Sequence, residues 1–337
     1  MIVRKSRFTL GAVLLWTLSL TSAISPREIP EDTPISSLVT SAKRELAAGN
    51  SNDALTYFDL AISRDPKNYL TLFQRGVAYL SLGRSTKAGD DFDKVLSIKP
   101  DFEGALLQQA KLKSKNADWA GARANYKKAK KLDSREYQNL EEAEGAAVLA
   151  VQAEKSGDYE ACVTHSGAAI LVAGTALELR QLRSRCRFER GEILEGVADL
   201  QHVLQLAPRN TEPHTQISAM LFYSIGDLET GLSQLSKCLQ YDPDAKACNR
   251  LRKQEKKLEK LYNNMLQLQE RKQYNSAVKL LVGQKGEAGL IDTVKDDVAA
   301  ARVAGIIHKN APKGLYSDLV ERTCDLYVQV CVLLSHG

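Results

Sequence analysis

One spacing organises this sequence, because residues of the same type recur 34 positions apart. The recurring residues are Pro66 and Pro100, then Ala54, Ala88 and Ala122, and the aromatic series Phe58, Phe92 and Tyr126. A unit this short cannot bury its own apolar face, so units that repeat at constant length form a core by stacking on their neighbours. The sequence therefore predicts a tandem array of short units.

The residue types within each unit predict a pair of antiparallel helices. A small alanine allows two helices to cross closely, the aromatic ring fills the space beside it, and the proline ends the second helix. The chain is only 6% aromatic, and it is rich in residues that favour helices. Because the spacing is that of the tetratricopeptide repeat (TPR), we predict an all-α TPR superhelical solenoid of about seven helix-turn-helix units, the last incomplete.

The repeat pattern weakens along the chain, and we use this change to predict its organisation. Ser134 replaces the terminating proline of the third unit, and the acidic segment 141–144 is predicted to connect the first two parts. The predicted TPR subdomains are residues 33–136, 137–250 and 251–337. The third is degenerate, and no recognisable helix completes its last unit. Some apolar residues are therefore expected to be exposed. They include Leu326, Val328 and Val330.

The first 23 residues predict a cleavable signal peptide, residues 1–23. The basic group Arg4-Lys5-Ser6-Arg7 precedes an apolar run from Phe8 to Leu20, and small residues follow up to Ala23. The alternative is an uncleaved membrane anchor, but this run is shorter than the roughly 20 residues that span a bilayer. We expect the signal peptide to be cleaved as the protein enters the secretory pathway, with no stable membrane insertion afterwards.

The charge and motif content narrow the class of function. The formal net charge of +5 falls to +2 when the three cations of the leader are removed, which is too small to indicate a nucleic-acid partner. The five histidines are scattered without metal-ligand spacing, and phosphate-loop and nucleophile-elbow motifs are absent. We therefore expect no catalytic residue, no metal site, no cofactor and no enzyme activity.

The six cysteines raise the question of disulfides, because they contain no Cys-x-x-Cys pair that would indicate a redox motif or a zinc knuckle. Cys238 and Cys248 flank a turn, so either a disulfide across that corner or two buried thiols fits the pattern. Cys162 and Cys186 are interpreted as buried free thiols, since their approach depends on packing that the sequence does not show.

The first helix of the second unit carries two apolar faces. Besides the residues that the repeat assigns to packing, Leu70, Phe73 and Val77 form a separate stripe. Val39 and Leu107 occupy the position of Phe73 in the first and third units. Because first helices line the groove of TPR arrays, these five residues predict a peptide-binding surface for exposed hydrophobic segments. The alternative is ordinary packing within the array.

The leader, the repeats and one cysteine pair together resemble the endoplasmic-reticulum TPR and J-domain co-chaperones. This family of DnaJ subfamily C type includes the lumenal kinase-inhibitor co-chaperone of animals and its fungal relatives. The residues that carry the resemblance are Ala54, Phe58, Pro66, Gly76, Tyr79, Ala88, Phe92, Pro100, Gly157, Asp158, Tyr159, Cys238 and Cys248.

The resemblance implies a protein of the endoplasmic-reticulum lumen that acts in protein folding and the unfolded protein response. It implies that the first TPR subdomain binds unfolded or misfolded polypeptides and hands them to a lumenal Hsp70, and that Cys238 and Cys248 form a disulfide. It also implies a J domain with a His-Pro-Asp triplet, which is absent from this sequence. The alternative function is a TPR scaffold that joins folded partners in a secretory-pathway complex.

Overall fold

The computed structural model describes residue 25 and residues 29–284 and 286–335. The predicted signal peptide, residues 1–23, lies outside the described residues. Throughout the part that the structure describes, the regular structure is helical and strands are absent, so the predicted all-α class is confirmed. Consecutive helices pair through short turns, as the repeat pattern predicts.

Packing divides the chain into two compact units, and the division falls within one helix, between Gln109 and Ala110. The first unit contains α1 (Ile35–Ala47), α2 (Ser51–Arg64), α3 (Tyr69–Ser81), α4 (Ser85–Ile98) and the beginning of α5 (Glu103–Lys115). The predicted division into three TPR subdomains stays a prediction.

The second unit contains the remaining helices. They are α6 (Trp119–Lys128), α7 (Arg135–Ser156), α8 (Tyr159–Val172), α9 (Leu177–Glu189), α10 (Ile193–Leu206), α11 (Thr211–Ala219), α12 (Leu228–Tyr241), α13 (Lys246–Glu270), α14 (Tyr274–Val282), α15 (Leu290–Val303) and α16 (Gly314–Ser335). A π-helical turn, Met220–Ile225, continues α11.

The residues that recur every 34 positions lie at the centres of their own helix pairs. The alanines are completely buried, and the aromatic side chains are at most 2% exposed; they are Ala54, Ala88, Ala122, Phe58, Phe92 and Tyr126. Burying a large apolar side chain contributes roughly 1.5–3 kcal/mol. The spacing in the sequence therefore identifies side chains on which the stability of each pair depends.

Short polar side chains and glycines set the helix ends. The Asn68 side chain accepts a hydrogen bond from the Thr71 N–H (3.1 Å) at the start of α3, and Ser134 accepts one from Tyr137 (3.2 Å) at the start of α7. Each such cap stabilises a helix by about 1 kcal/mol. Gly157 ends α7 with φ of 79°, a left-handed conformation that glycine adopts without steric strain.

The prediction of an acidic connector at residues 141–144 is wrong. These residues lie inside α7, which runs without interruption from its cap at Ser134. The helix continues because Leu140 and Ala143 are buried on one of its faces while the neighbouring glutamates are exposed or partly exposed. An acidic run of this kind is the solvent-facing side of an amphipathic helix.

The expectation that Leu326 is exposed is also wrong. Leu326 is 1% exposed and belongs to the core of the second unit. It shares one face of α16 with the buried residues Leu315 and Leu319, and α16 packs against α14 and α15. Val328, on another face, is 59% exposed as expected, and Val330 is partly buried.

Candidate functional site

One arginine holds α3 between its two neighbours. Nη1 of Arg75 donates to Oδ1 of Asp59 on α2 (2.7 Å), while Nε and Nη2 donate to the carboxylate of Asp91 on α4 (2.8 and 2.6 Å). Asp91 is 2% exposed. The hydrogen bonds to Asp91 raise the pKa of Arg75 in spite of its burial. The ion pair therefore fixes α3 on the side roughly opposite to Phe73 and Val77.

Phe73 packs against an aromatic floor. Its ring centroid lies 5.1 Å from that of Phe102 and 5.8 Å from that of Phe92. Gly104, in the first turn of α5, makes room for the ring, because a Cβ at that position would lie 3.0 Å from Cζ of Phe73. The side chain is partly buried, so Phe73 contributes both to packing and to the surface.

Leu70 and Val77 are the exposed members of the predicted peptide-binding surface. They lie one turn to either side of Phe73 on α3 and are 47% and 38% exposed. Val39, on α1, is partly buried and packs on the cluster that includes Ala78 of α3. Leu107, on α5, is partly buried. The structure thus leaves Leu70 and Val77 open to solvent, whereas Val39 and Leu107 are each partly buried.

Two further aromatic residues extend this surface and were missed by the repeat analysis. Tyr69 and Phe102 have ring centroids 5.2 Å apart, and Nζ of Lys99 lies 5.0 Å from the centroid of Tyr69. A cation over an aromatic face is attracted by the ring quadrupole. Phe102 gave no periodic signal, because the residue 34 positions earlier is Asn68, a helix cap.

The structure brings two cysteine pairs to disulfide distance. The sulfur atoms of Cys238 and Cys248 lie 1.97 Å apart across the turn between α12 and α13. Those of Cys162 and Cys186 lie 2.02 Å apart between α8 and α9, so the interpretation of this second pair as free thiols does not agree with the structure. Both pairs are buried.

Groups of three or more metal-ligating side chains are absent from the described residues. Within the same part of the chain, every helix is too short or too polar to cross a bilayer.

These helix pairs and their buried spacing residues define a TPR protein. The Tetratricopeptide repeat family model matches residues 70–102. The crystal structure of the P58(IPK) TPR domain superposes with a TM-score of 0.65 at 28% identity, covering 88% of this chain and 90% of that domain.

The sequence comparisons narrow the class. The TPR and J domain-containing co-chaperone DNJ1 of Fusarium oxysporum is 49% identical over 313 residues, which are 93% of this chain and 60% of that protein. The human DnaJ homolog subfamily C member 3 is 35% identical over 235 residues, which are 67% of this chain and 46% of that protein. The chain belongs to this family of TPR and J-domain co-chaperones. It spans about 60% or less of the length of these two relatives.

Proposed function

We propose that this chain is a co-chaperone of the endoplasmic-reticulum lumen that binds unfolded polypeptides through the apolar surface on α3. The observation that carries the proposal is the exposure of Leu70 and Val77 on either side of the Phe73 ring. Solvent-exposed apolar side chains on an aromatic floor match the hydrophobic segments that an unfolded chain presents. Val39 and Leu107 would extend the contact along α1 and α5.

An aggregation assay with a reduced, unfolding client tests this proposal. The double variant Leu70→Asp/Val77→Asp places two charges on the proposed surface without removing the packed ring of Phe73. Since burial of each side chain contributes roughly 1.5–3 kcal/mol, client affinity should fall at least about tenfold. The matched control is Leu171→Asp on α8, where the side chain is 87% exposed. If circular dichroism shows that both variants are folded and both protect the client equally, the α3 surface does not bind the client.

We also propose that bound clients pass to a lumenal Hsp70, with the J-domain activity supplied by residues not found in this sequence. The name of the Fusarium oxysporum relative, a TPR and J domain-containing co-chaperone, supports this step. In a transfer assay with labelled client, ATP, lumenal Hsp70 and a separate J domain, the client should leave the TPR chain for Hsp70. Retention of the client under these conditions would contradict the hand-off.

The alternative proposal, a scaffold for folded partners, makes a different prediction in a pull-down. A client-binding protein retains many unfolded chains weakly, whereas a scaffold retains one folded partner at fixed stoichiometry. Retention of one such partner by both the wild type and Leu70→Asp/Val77→Asp would favour the scaffold.

A further inference from the structure

A cavity of about 420 Å³ lies between α15 and the beginning of α16 in the second unit. It is lined by Lys295, Val298, Ala299, Arg302, Lys313 and Tyr316. Cavities that bind small molecules measure roughly 300–1,000 Å³ and combine apolar walls with a few convergent polar groups. The volume and the lining of this cavity both fit that description.

Four of the lining residues come from one face of α15. Lys295, Val298, Ala299 and Arg302 stand at positions i, i+3, i+4 and i+7, which are neighbours on a helix surface. Lys313 and Tyr316 supply the other wall from the start of α16. The backbone of Lys313 is held at the start of this helix, because its carbonyl oxygen accepts a hydrogen bond from the Ser317 N–H at 2.8 Å.

The cavity has an excess of positive charge. Lys295, Arg302 and Lys313 line it, and its lining contains no acidic residue. Within the described residues, none of these three cations lies within 4.0 Å of a carboxylate oxygen. Asp292 and Asp296 lie beside Lys295 along a neighbouring depression and do not pair with it. Three cations without an ion-pair partner within 4.0 Å, around an apolar floor, attract an anion.

Arg302 is oriented but not saturated by its protein contacts. Its Nη2 donates to the carbonyl oxygen of Ala311 at 2.9 Å, which anchors the guanidinium to the connection between α15 and α16. Its Nε is buried and has no hydrogen-bond partner in the protein. A buried donor without a partner is destabilising unless another group accepts its hydrogen.

We propose that this cavity binds a small apolar carboxylate. The carboxylate would accept hydrogen bonds from Arg302 and pair with Lys295 and Lys313, while the hydrocarbon body would pack on Val298, Ala299 and the ring of Tyr316. Charge selects the anionic head, and the apolar lining selects the body. The site is independent of the proposed function, because the α3 surface lies in the other unit.

Isothermal titration calorimetry with decanoate below its micellar concentration tests the proposal on the full chain. Decanoate should bind with one-to-one stoichiometry, and decanol, which keeps the hydrocarbon and lacks the charge, should bind at least about tenfold more weakly, since hydrogen bonds to charged groups contribute roughly 1.5–3 kcal/mol. Equal binding of the two ligands, or no binding of decanoate, overturns the proposal.

Charge reversal locates the binding. Lys295→Glu/Lys313→Glu changes two exposed side chains, so it should remain folded and should weaken decanoate binding at least about tenfold. The control is Lys309→Glu, an exposed lysine of the same connection that does not line the cavity. Unchanged affinity in the double variant, or equal loss in the control, places the ligand elsewhere and overturns the assignment.

The source of the carboxylate is decided by a second pair of ligands. A short peptide that ends in leucine with a free carboxylate is compared with the same peptide amidated at its end. Binding of the free peptide at least as tight as that of decanoate, with loss on amidation, identifies a polypeptide terminus as the source. Binding of decanoate alone identifies a free fatty acid.

Discussion

Gly76 on α3 lies directly against the ring of Phe92 on α4, so that a Cβ at Gly76 would stand 2.6 Å from Cε1 of that ring. Real side chains do not approach this closely, so Gly76→Ala must displace Phe92, whose ring also contacts Phe73. Overpacking of a core typically destabilises by about 1–3 kcal/mol. We expect Gly76→Ala to lower the free energy of unfolding by this amount in a urea titration followed by circular dichroism.

The control for this substitution is Gly145→Ala on α7. A Cβ at Gly145 meets no atom within 4 Å, and alanine is favoured over glycine inside a helix by about 0.5–1 kcal/mol. Gly145→Ala should therefore be neutral or stabilising. Equal destabilisation by the two substitutions would show that the contact with Phe92 is not the cause of the effect.

The contact of Arg75 with Asp91 predicts a strong dependence of stability on either partner. Arg75→Met leaves the carboxylate of Asp91, which is 2% exposed, without its guanidinium. Removing one partner of a buried ion pair costs about 3–5 kcal/mol, whereas replacing both by apolar groups is often neutral. Denaturant titration should therefore show a large loss for Arg75→Met and recovery of much of it in Arg75→Met/Asp91→Leu. A double variant as unstable as the single one would contradict this account.

The sequence could predict the helix class and the central side chains, because stacking depends on residues at a fixed spacing. Ala88 and Phe92 are buried where the period places them. The apolar stripe was also visible, since Leu70 and Val77 share a helix face with Phe73. Its floor was not, because Phe102 lies in a connection outside the period and reaches Phe73 only through the packing of α3 on α5.

The same limit explains why the predictions for Cys162 with Cys186 and for the acidic segment do not agree with the structure. Cys162 and Cys186 are 24 residues apart, and their distance follows from how α8 packs on α9, which no local pattern reports. The acidic segment 141–144 was interpreted as a connector because its charges interrupt the TPR pattern. Burial of Leu140 and Ala143 shows that charge density alone does not mark a helix end.

The two cysteine pairs predict different losses of stability on reduction. Chain-entropy reasoning gives about 3.5 kcal/mol for closing the 24-residue separation of Cys162 and Cys186 and about 2.7 kcal/mol for the 10-residue separation of Cys238 and Cys248. Peptide mapping without reductant should recover both linked pairs. The double variant Cys162→Ser/Cys186→Ser should then unfold at a lower denaturant concentration than the wild type. Its unfolding midpoint should equal that of wild-type protein in which only this pair is reduced. Free thiols at all four positions would contradict the pairing.

Glu255 on α13 predicts that stability falls as the pH rises. Its side chain is completely buried, and Oγ of Ser218 lies 2.8 Å from its Oε2 and 2.7 Å from the carbonyl oxygen of Gly231. A hydroxyl has one hydrogen, and the carbonyl can only accept it. The Ser218 hydroxyl can donate to only one of these two acceptors at a time, so its hydrogen bond offsets only part of the cost of burying the Glu255 carboxylate.

Burial is the main cause that raises the pKa of Glu255 to about 8; the hydrogen bond with Ser218 lowers it and the nearby Asp297 raises it. The folded state then holds a proton that the unfolded state releases above a pKa of 4.5. This contribution to stability is fully present below the unfolded pKa and is lost as the pH rises through the folded one, by roughly 5 kcal/mol in total. Thermal unfolding between pH 5 and 9 should show a falling midpoint, to which Asp297, with a raised pKa of its own, contributes in the same direction.

In Glu255→Gln the slope of this midpoint against pH should flatten, and the protein should be more stable than the wild type at high pH. Glu270→Gln, at the exposed end of α13, should keep the wild-type slope. A slope unaffected by Glu255→Gln would mean that the carboxyl group of Glu255 is ionised in the folded protein.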